Sequence, residues 1–337
     1  MPLGMDIFND PAFGLVQMTE AINIIPNQYG RVGDLGIFRN KGVETTSVLL
    51  ELKNGVLNIL PPTQRGGEAT VNKSGKRKVK SLAILNYSLD DVVLPDEIQG
   101  VRAFGSTTEV ETLQRRVLEK IEGMRRKHDI TLEWLRVNAI QGKLLDDEGE
   151  VLLDLFDFFE TTEKVIDFQL GTATTQVDQK CREVTRHMQK NLKGEVMNGI
   201  RALCSPSFYD AFIGHESVQK AYLAYQATTP FREDMRLGFY FQGINFEEYD
   251  ASGANRNGKE LQFIPDGDVR FIPMGTTETF SNYYAPADLI ETVNTTGLPF
   301  YAYQYVTEDK RKCKIFTQSN PLPIVTRPNL LVRGKAS

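Results

Sequence analysis

Histidine and cysteine are scarce in this chain: three of each in 337 residues, beside a single tryptophan. Cys181, Cys204 and Cys313 stand far apart and form no CxxC pair, so neither a zinc site nor a disulfide framework is suggested, and buried thiols are the simplest reading. His128, His187 and His215 show no HExxH or HxxE spacing, and no metal or other cofactor is expected. Without a Gly-flanked elbow, Cys204 does not read as a nucleophile served by His187 or His215. No apolar run approaches the roughly 18 residues that suggest a membrane span. The opening MPLGMDIFNDPAFG lacks the basic start and apolar core of a signal peptide, so a soluble cytosolic product with no membrane partner is expected.

An excess of positive charge is missing too. The formal net charge is −5, which argues against a dedicated nucleic-acid binder. The distribution is uneven, however. Between Gln64 and Lys80 the run QRGGEATVNKSGKRKVK holds Arg65, Lys73, Lys76, Arg77, Lys78 and Lys80 against Glu68 alone, a local +5 that leaves −10 for the remainder. An acidic body with one basic, Gly-containing protrusion suits a solvated loop, a contact with an acidic surface of another subunit, or nucleic acid. The second of these is what electrostatically guided self-assembly would use.

What the sequence does have is one long amphipathic stretch, Ser106 to Gly142. Val110, Leu113, Val117, Ile121, Met124, His128, Leu132, Leu135 and Ala139 recur every three or four residues and fall in one stripe along an α-helix. Ser106 with Glu109, or Thr108 with Glu111, supplies a capping box, and Gly142 suits the far end. Such a helix spans roughly 50 Å, longer than a small domain is wide. His128 sits in the apolar stripe, which points to a satisfied core histidine.

Around this girder the reading is α+β. Residues 1 to about 45 carry frequent Gly and Pro and read as an extended arm with at most a short helix, Asp10 to Met18. In LLELK-NG-VLNIL the Asn54-Gly55 pair fits a two-residue turn that sets Leu52 opposite Leu57 and Leu50 opposite Ile59. Lys78 to Ser88 reads as a returning strand. After the helix, LLDDEGEVLLDLF reads as two strands joined by the acidic turn Asp146 to Gly149, with Val165 to Leu170 continuing that sheet. Asp178 to Lys193 is helical, Glu195 to Cys204 a strand, Pro206 to Ile213 a helix, and Arg236 to Asp250 one aromatic strand. Gly253 to Lys259, GANRNGK, matches the G-x4-G-K of a phosphate-binding loop, but Glu260 replaces the required Ser or Thr and a strand follows where a helix is needed. An exposed hairpin loop is the better reading. The paired acids at 90–91, 146–148 and 266–268 fall at turns, where such residues are expected.

The order of parts, with Arg65-Gly66-Gly67 in the loop, Leu94-Pro95-Asp96-Glu97 before the helix and Gly142-Lys143 with Glu150-Val151 after it, resembles the major capsid proteins of tailed phages, which have the Hong Kong 97 fold. Phe263-Ile264-Pro265-Asp266, Met274-Gly275, Gln318-Ser319 and Pro321-Leu322 extend the resemblance to the lambda-type subgroup, the major capsid protein E family. The resemblance implies a non-enzymatic structural subunit that forms hexamers and pentamers of an icosahedral shell around double-stranded DNA. It implies an arm (1–45), an extended loop and its hairpin base (46–105), and a peripheral domain (106–175) with the spine helix 106–142. An axial domain (176–318) and a C-terminal return to the peripheral domain (319–337) complete it. Arg65, Lys73, Lys76, Arg77, Lys78 and Lys80 would then make inter-subunit contacts, and Val110, Leu113, Val117, Ile121, Met124, Leu132 and Leu135 would form the spine's buried face. The implied partners are further copies of the chain, portal and scaffolding proteins, a cementing or decoration protein, and packaged DNA bound non-specifically. The implied location is the virion capsid, assembled in the host cytoplasm without covalent welding of subunits. The alternative is a cytosolic nucleic-acid-binding protein that uses the loop 64–80.

Overall fold

The computed structural model describes residues 15–24, 30–53, 77–98, 113–219 and 238–337. The first half carries α1 (Leu15–Ile24), α2 (Arg31–Asp34), β1 (Arg39–Gly42), β2 (Ser47–Lys53), β3 (Arg77–Ala83), β4 (Tyr87–Val93) and the long α3 (Leu113–Ile140). Then come β5 (Lys143–Leu145), β6 (Val151–Asp154), α4 (Leu155–Phe158), β7 (Lys164–Asp167), α5 (Val177–Asn191), β8 (Gly199–Cys204) and α6 (Pro206–Gly214). The last third is all strands apart from short 3-10 turns: β9 (Phe239–Phe241), β10 (Ile244–Glu248), β11 (Ser252–Ala254), β12 (Glu260–Gln262), β13 (Asp268–Met274), β14 (Phe280–Tyr284), β15 (Tyr301–Val306), β16 (Cys313–Ser319), β17 (Pro321–Val325) and β18 (Val332–Lys335).

The chain divides into two compact units. The first comprises 1–48, 81–133 and 282–323, and the second 49–80, 134–281 and 324–337, so the division falls inside α3 between Glu133 and Trp134. In the first unit β15, β16 and β4 form an antiparallel sheet, with Cys313 opposite Val93 and Thr317 opposite Leu89. Val117, Ile121, Met124 and Leu132 of α3 pack with Ile315, Ala302 and Phe300 in one core. That core also takes Met18 and Ile22 of α1, which are 3% and 0% exposed. Here the sequence reading needs correction. The segment Leu15–Ile24 is no extended arm: of the helix read at Asp10 to Met18, residues 10–14 lie outside the described residues, while from Leu15 the chain is helical as α1, which runs on to Ile24 and buries its apolar side within its own unit.

In the second unit a six-stranded sheet runs β7-β18-β13-β8-β10-β9, with β18 parallel to β7 and β10 parallel to β8. Helices α5 and α6 cover it. Val177, Cys181, Val184 and Met188 recur at helical spacing and are fully buried, and Phe212 of α6 stacks on Phe246 at 4.1 Å between ring centroids. Pro206 starts α6 and the Ser205 hydroxyl accepts from the Phe208 amide, so this helix is capped as its sequence suggests.

Further expectations fail: Lys78 to Ser88 is not one strand but is divided between β3, paired with β2, and β4, paired with β16. β7 does not extend the β5–β6 hairpin; it pairs with β18, from the far end of the chain, because Ile166 and Phe168 bury in the larger core. Arg236 to Asp250 is not one strand either. β9 and β10 fold on each other through Gln242 and Gly243, whose φ values of 50° and 82° make the two-residue turn that suits a twisted hairpin.

Candidate functional site

The candidate site is a pair of surfaces, the spine and the loop, and α3 organises the first. Seven α3 residues in one stripe, Val117, Ile121, Met124, His128, Leu132, Leu135 and Ala139, are all buried. Val110 lies outside the described residues, and Leu113 is the first residue of α3. The 28 described residues of α3 make a rod of about 42 Å. Gly142 ends it with φ of 82°, a backbone state only glycine adopts freely, and a Cβ there would sit 2.1 Å from the Phe156 ring.

Polar side chains on α3 strap the N-terminal segment to it. Arg125, only 7% exposed, donates to the Ile22 carbonyl at 2.7 Å, pairs with Asp129 at 3.0 Å and lies over the Phe300 ring at 3.6 Å. Gly30 precedes α2 and has no side chain to cap it; the Glu133 carboxylate takes that role, accepting from the amides of Val32 at 2.7 Å and Gly33 at 3.3 Å. Lower on the rod, Lys120 and Arg116 hold Glu97, at 3.1 and 3.2 Å. Burial acts to raise the Glu97 carboxyl, but bonds from Lys120, the Leu94 amide and Arg116 outweigh it, leaving the group below the usual carboxylate range.

His128 is a satisfied core residue. Its Nε2 lies 3.0 Å from the Thr317 hydroxyl and its Nδ1 3.2 Å from that of Ser319. Burial first, then the nearby Arg125 charge, push its pKa down to about 4, so the ring is neutral near pH 7.

Of the six loop cations, Arg65, Lys73 and Lys76 lie outside the described residues, as does the Asn54-Gly55 turn; Arg77 and Lys78 lie in β3. Lys80, also in β3, bonds the Phe158 carbonyl at 2.5 Å, lies over the Phe158 ring and sits 3.6 Å from Glu160, contacts made within the second unit.

Nothing catalytic assembles among the described residues. Cys204 is fully buried and its thiol is pushed well above its ordinary pKa by burial; Cys181 rises to about 12 for the same reason. The imidazoles of His187 and His215 are engaged elsewhere, on the Asn329 carbonyl and on Ser217 with the Thr172 carbonyl. GANRNGK is the turn of the β11–β12 hairpin: the Asn255 side chain accepts from the amides of Asn257 and Lys259, and Arg256 clasps Asp147 at 2.6 and 2.7 Å. Both flanks are strands, so no helix N-terminus is present to receive a phosphate. The described residues hold no cluster of three metal-binding side chains, and none of their helices is long and apolar enough to cross a membrane.

Comparison with known proteins bears on this geometry directly. Residues 14–336 match the family described as phage major capsid protein E. The chain is 32% identical to the major capsid protein of Pseudomonas phage KPP10, over 96% of this chain and 97% of that one. It is 27% identical to the major capsid protein of Salmonella phage Felix O1, over 96% of each. In fold it is similar to the capsid of Ralstonia phage GP4, with a TM-score of 0.54 at 8% identity over 93% of each chain.

Proposed function

Since the chain belongs to the phage major capsid protein E family and has the α+β, Hong Kong 97-type capsid fold, we propose that it builds a closed icosahedral shell from hexamers and pentamers of itself around double-stranded DNA. It is the major capsid protein of a tailed phage, a structural component of the virion. The observation that carries the reading is the match from residue 14 to 336 together with 32% identity across nearly the whole of a phage capsid protein. The subunit works without a catalytic step and assembles in the host cytoplasm beside portal and scaffolding proteins, with a decoration protein as a further partner.

Within this reading the remaining segments act as extended loop, peripheral domain and axial domain, and the rigid α3 keeps each subunit's outline fixed while neighbours dock. Arg65, Lys73, Lys76, Arg77 and Lys78 reach acidic surfaces on adjoining copies, for which the net −5 of the chain provides. Lys80 anchors the loop's root. The rival reading, a nucleic-acid-binding protein built on the loop 64–80, is not favoured, since the family match spans the whole body rather than a basic segment.

The test is sedimentation of the expressed protein followed by a boiled SDS gel of the fast fraction. The expected result is a heavy particle that dissolves to a single monomer band. A slow monomer in the gradient contradicts the shell reading, and a ladder of subunit multiples contradicts assembly without covalent welding.

A further inference from the structure

The strongest feature left unused is the exposed side of α5. Its inner face is spent on the core, but its outer face lines a polar concavity of about 1060 Å³ shared with the segment from Lys164 to Gln176. Between Gln176 and Lys193 the sequence carries five cations, Lys180, Arg182, Arg186, Lys190 and Lys193, against Asp178 and Glu183, a local +3 in a chain of net −5. Both carboxylates are already engaged: Asp178 with Arg182 at 2.7 Å, and Glu183 with Lys164 at 2.8 Å. Lys180, Arg186 and Lys190 line the same concavity and have no carboxylate partner among the described residues.

We propose that this face is where the subunit touches the phosphate backbone of double-stranded DNA; the inference rests on the shell reading above and assigns the DNA contact to named residues. The three cations span ten residues of helix, about 15 Å, a length over which duplex DNA presents roughly nine phosphate charges. Glutamine and threonine side chains lining the same concavity, Thr175, Gln176 and Gln179 among others, add uncharged polar groups that suit phosphate oxygens and carry no base preference. An acidic protein segment would satisfy the cations too, but it cannot match a continuous polyanion in charge density. With three uncompensated charges the contact is weak and salt-labile, which keeps DNA against the wall without holding it there.

The experiment measures binding of a short duplex DNA to the purified protein by fluorescence anisotropy between about 50 and 200 mM salt. The wild type is compared with Lys180→Gln/Arg186→Gln/Lys190→Gln, and with Lys310→Gln/Arg311→Gln/Lys312→Gln, which neutralises three exposed cations in the turn between β15 and β16. The α5 variant is expected to reduce the slope of log affinity against log salt by up to about 2.7, at 0.9 per lost phosphate contact, while the control keeps the wild-type slope. An unchanged slope in the α5 variant, or an equal loss in the control, overturns the assignment. So does tighter binding of polyglutamate than of DNA at equal charge concentration, which would give the face to an acidic protein segment. Electron micrographs of the same preparations separate the two readings. Wild-type shells that form while the α5 variant cannot assemble would make the face a subunit contact and sink this proposal alone. Absence of shells from the wild type sinks the shell reading and leaves the measured slope interpretable on its own.

Discussion

At the scale of single residues, one position on α3 and one just past its end, His128 and Gly142, have measurable consequences. His128 is 4% exposed and neutral, and its pKa falls from 6.5 to about 4 on folding. The unfolded ring binds its proton near pH 6.5 and the folded ring only near 4, so the stability it contributes is complete above the first value and is lost as pH falls toward the second. About 3 kcal/mol is at stake. Thermal melts from pH 7 to pH 4.5 should show a steep loss in the wild type and a shallower one in His128→Gln; equal slopes would mean that the buried ring does not set the acid sensitivity. Gly142→Ala should destabilise the fold by at least about 3 kcal/mol, because the alanine meets both an unfavourable φ and the Phe156 ring. A urea midpoint within error of the wild type would contradict that. Both positions were legible in the sequence, His128 from its place in the apolar stripe and Gly142 as a helix stop. The hydroxyls that satisfy the ring, Thr317 and Ser319, were not, since they lie almost two hundred residues away on β16.

At the scale of elements, local periodicity located α3, α5, α6 and the β5–β6 hairpin, each of which has its pattern written in consecutive residues. What it missed depends on distant partners. β7 is a four-residue strand whose place is set by β18, and α1 is a helix whose burial requires β15 and the stripe of α3. The Gln242-Gly243 turn was hidden because glutamine rarely takes a positive φ, so only the glycine signalled it. The basic face of α5 escaped because its cations alternate with carboxylates along the chain, and only the folded helix shows which of them are compensated. The strap between α3 and α2 gives this scale its own test. Glu133→Ala leaves two α2 amides without their acceptor and should cost about 1–3 kcal/mol, with faster tryptic cleavage at Arg31 as the readout. Cleavage at the wild-type rate would show that the strap holds nothing.

At the scale of the whole molecule, the apolar surface left over is what self-association can use. Val151 and Leu152 on β6 and Val165 on β7 are roughly half exposed and Val196 beyond α5 about two-thirds exposed, all within the second unit. The fold class was readable from the order of the parts, and the family match extends from one end of the chain to the other. The segment from Leu15 to Ile24 buries Met18 and Ile22 within its own unit, so in the proposed reading copies are joined through other surfaces. Electron cryomicroscopy of the purified, expressed protein tests the central claim most directly. The account predicts closed icosahedral particles whose wall resolves into rings of six and five copies with α3 running as a continuous rod in each. A field of single 337-residue molecules at assembly concentration and salt, with no closed particle, would contradict it.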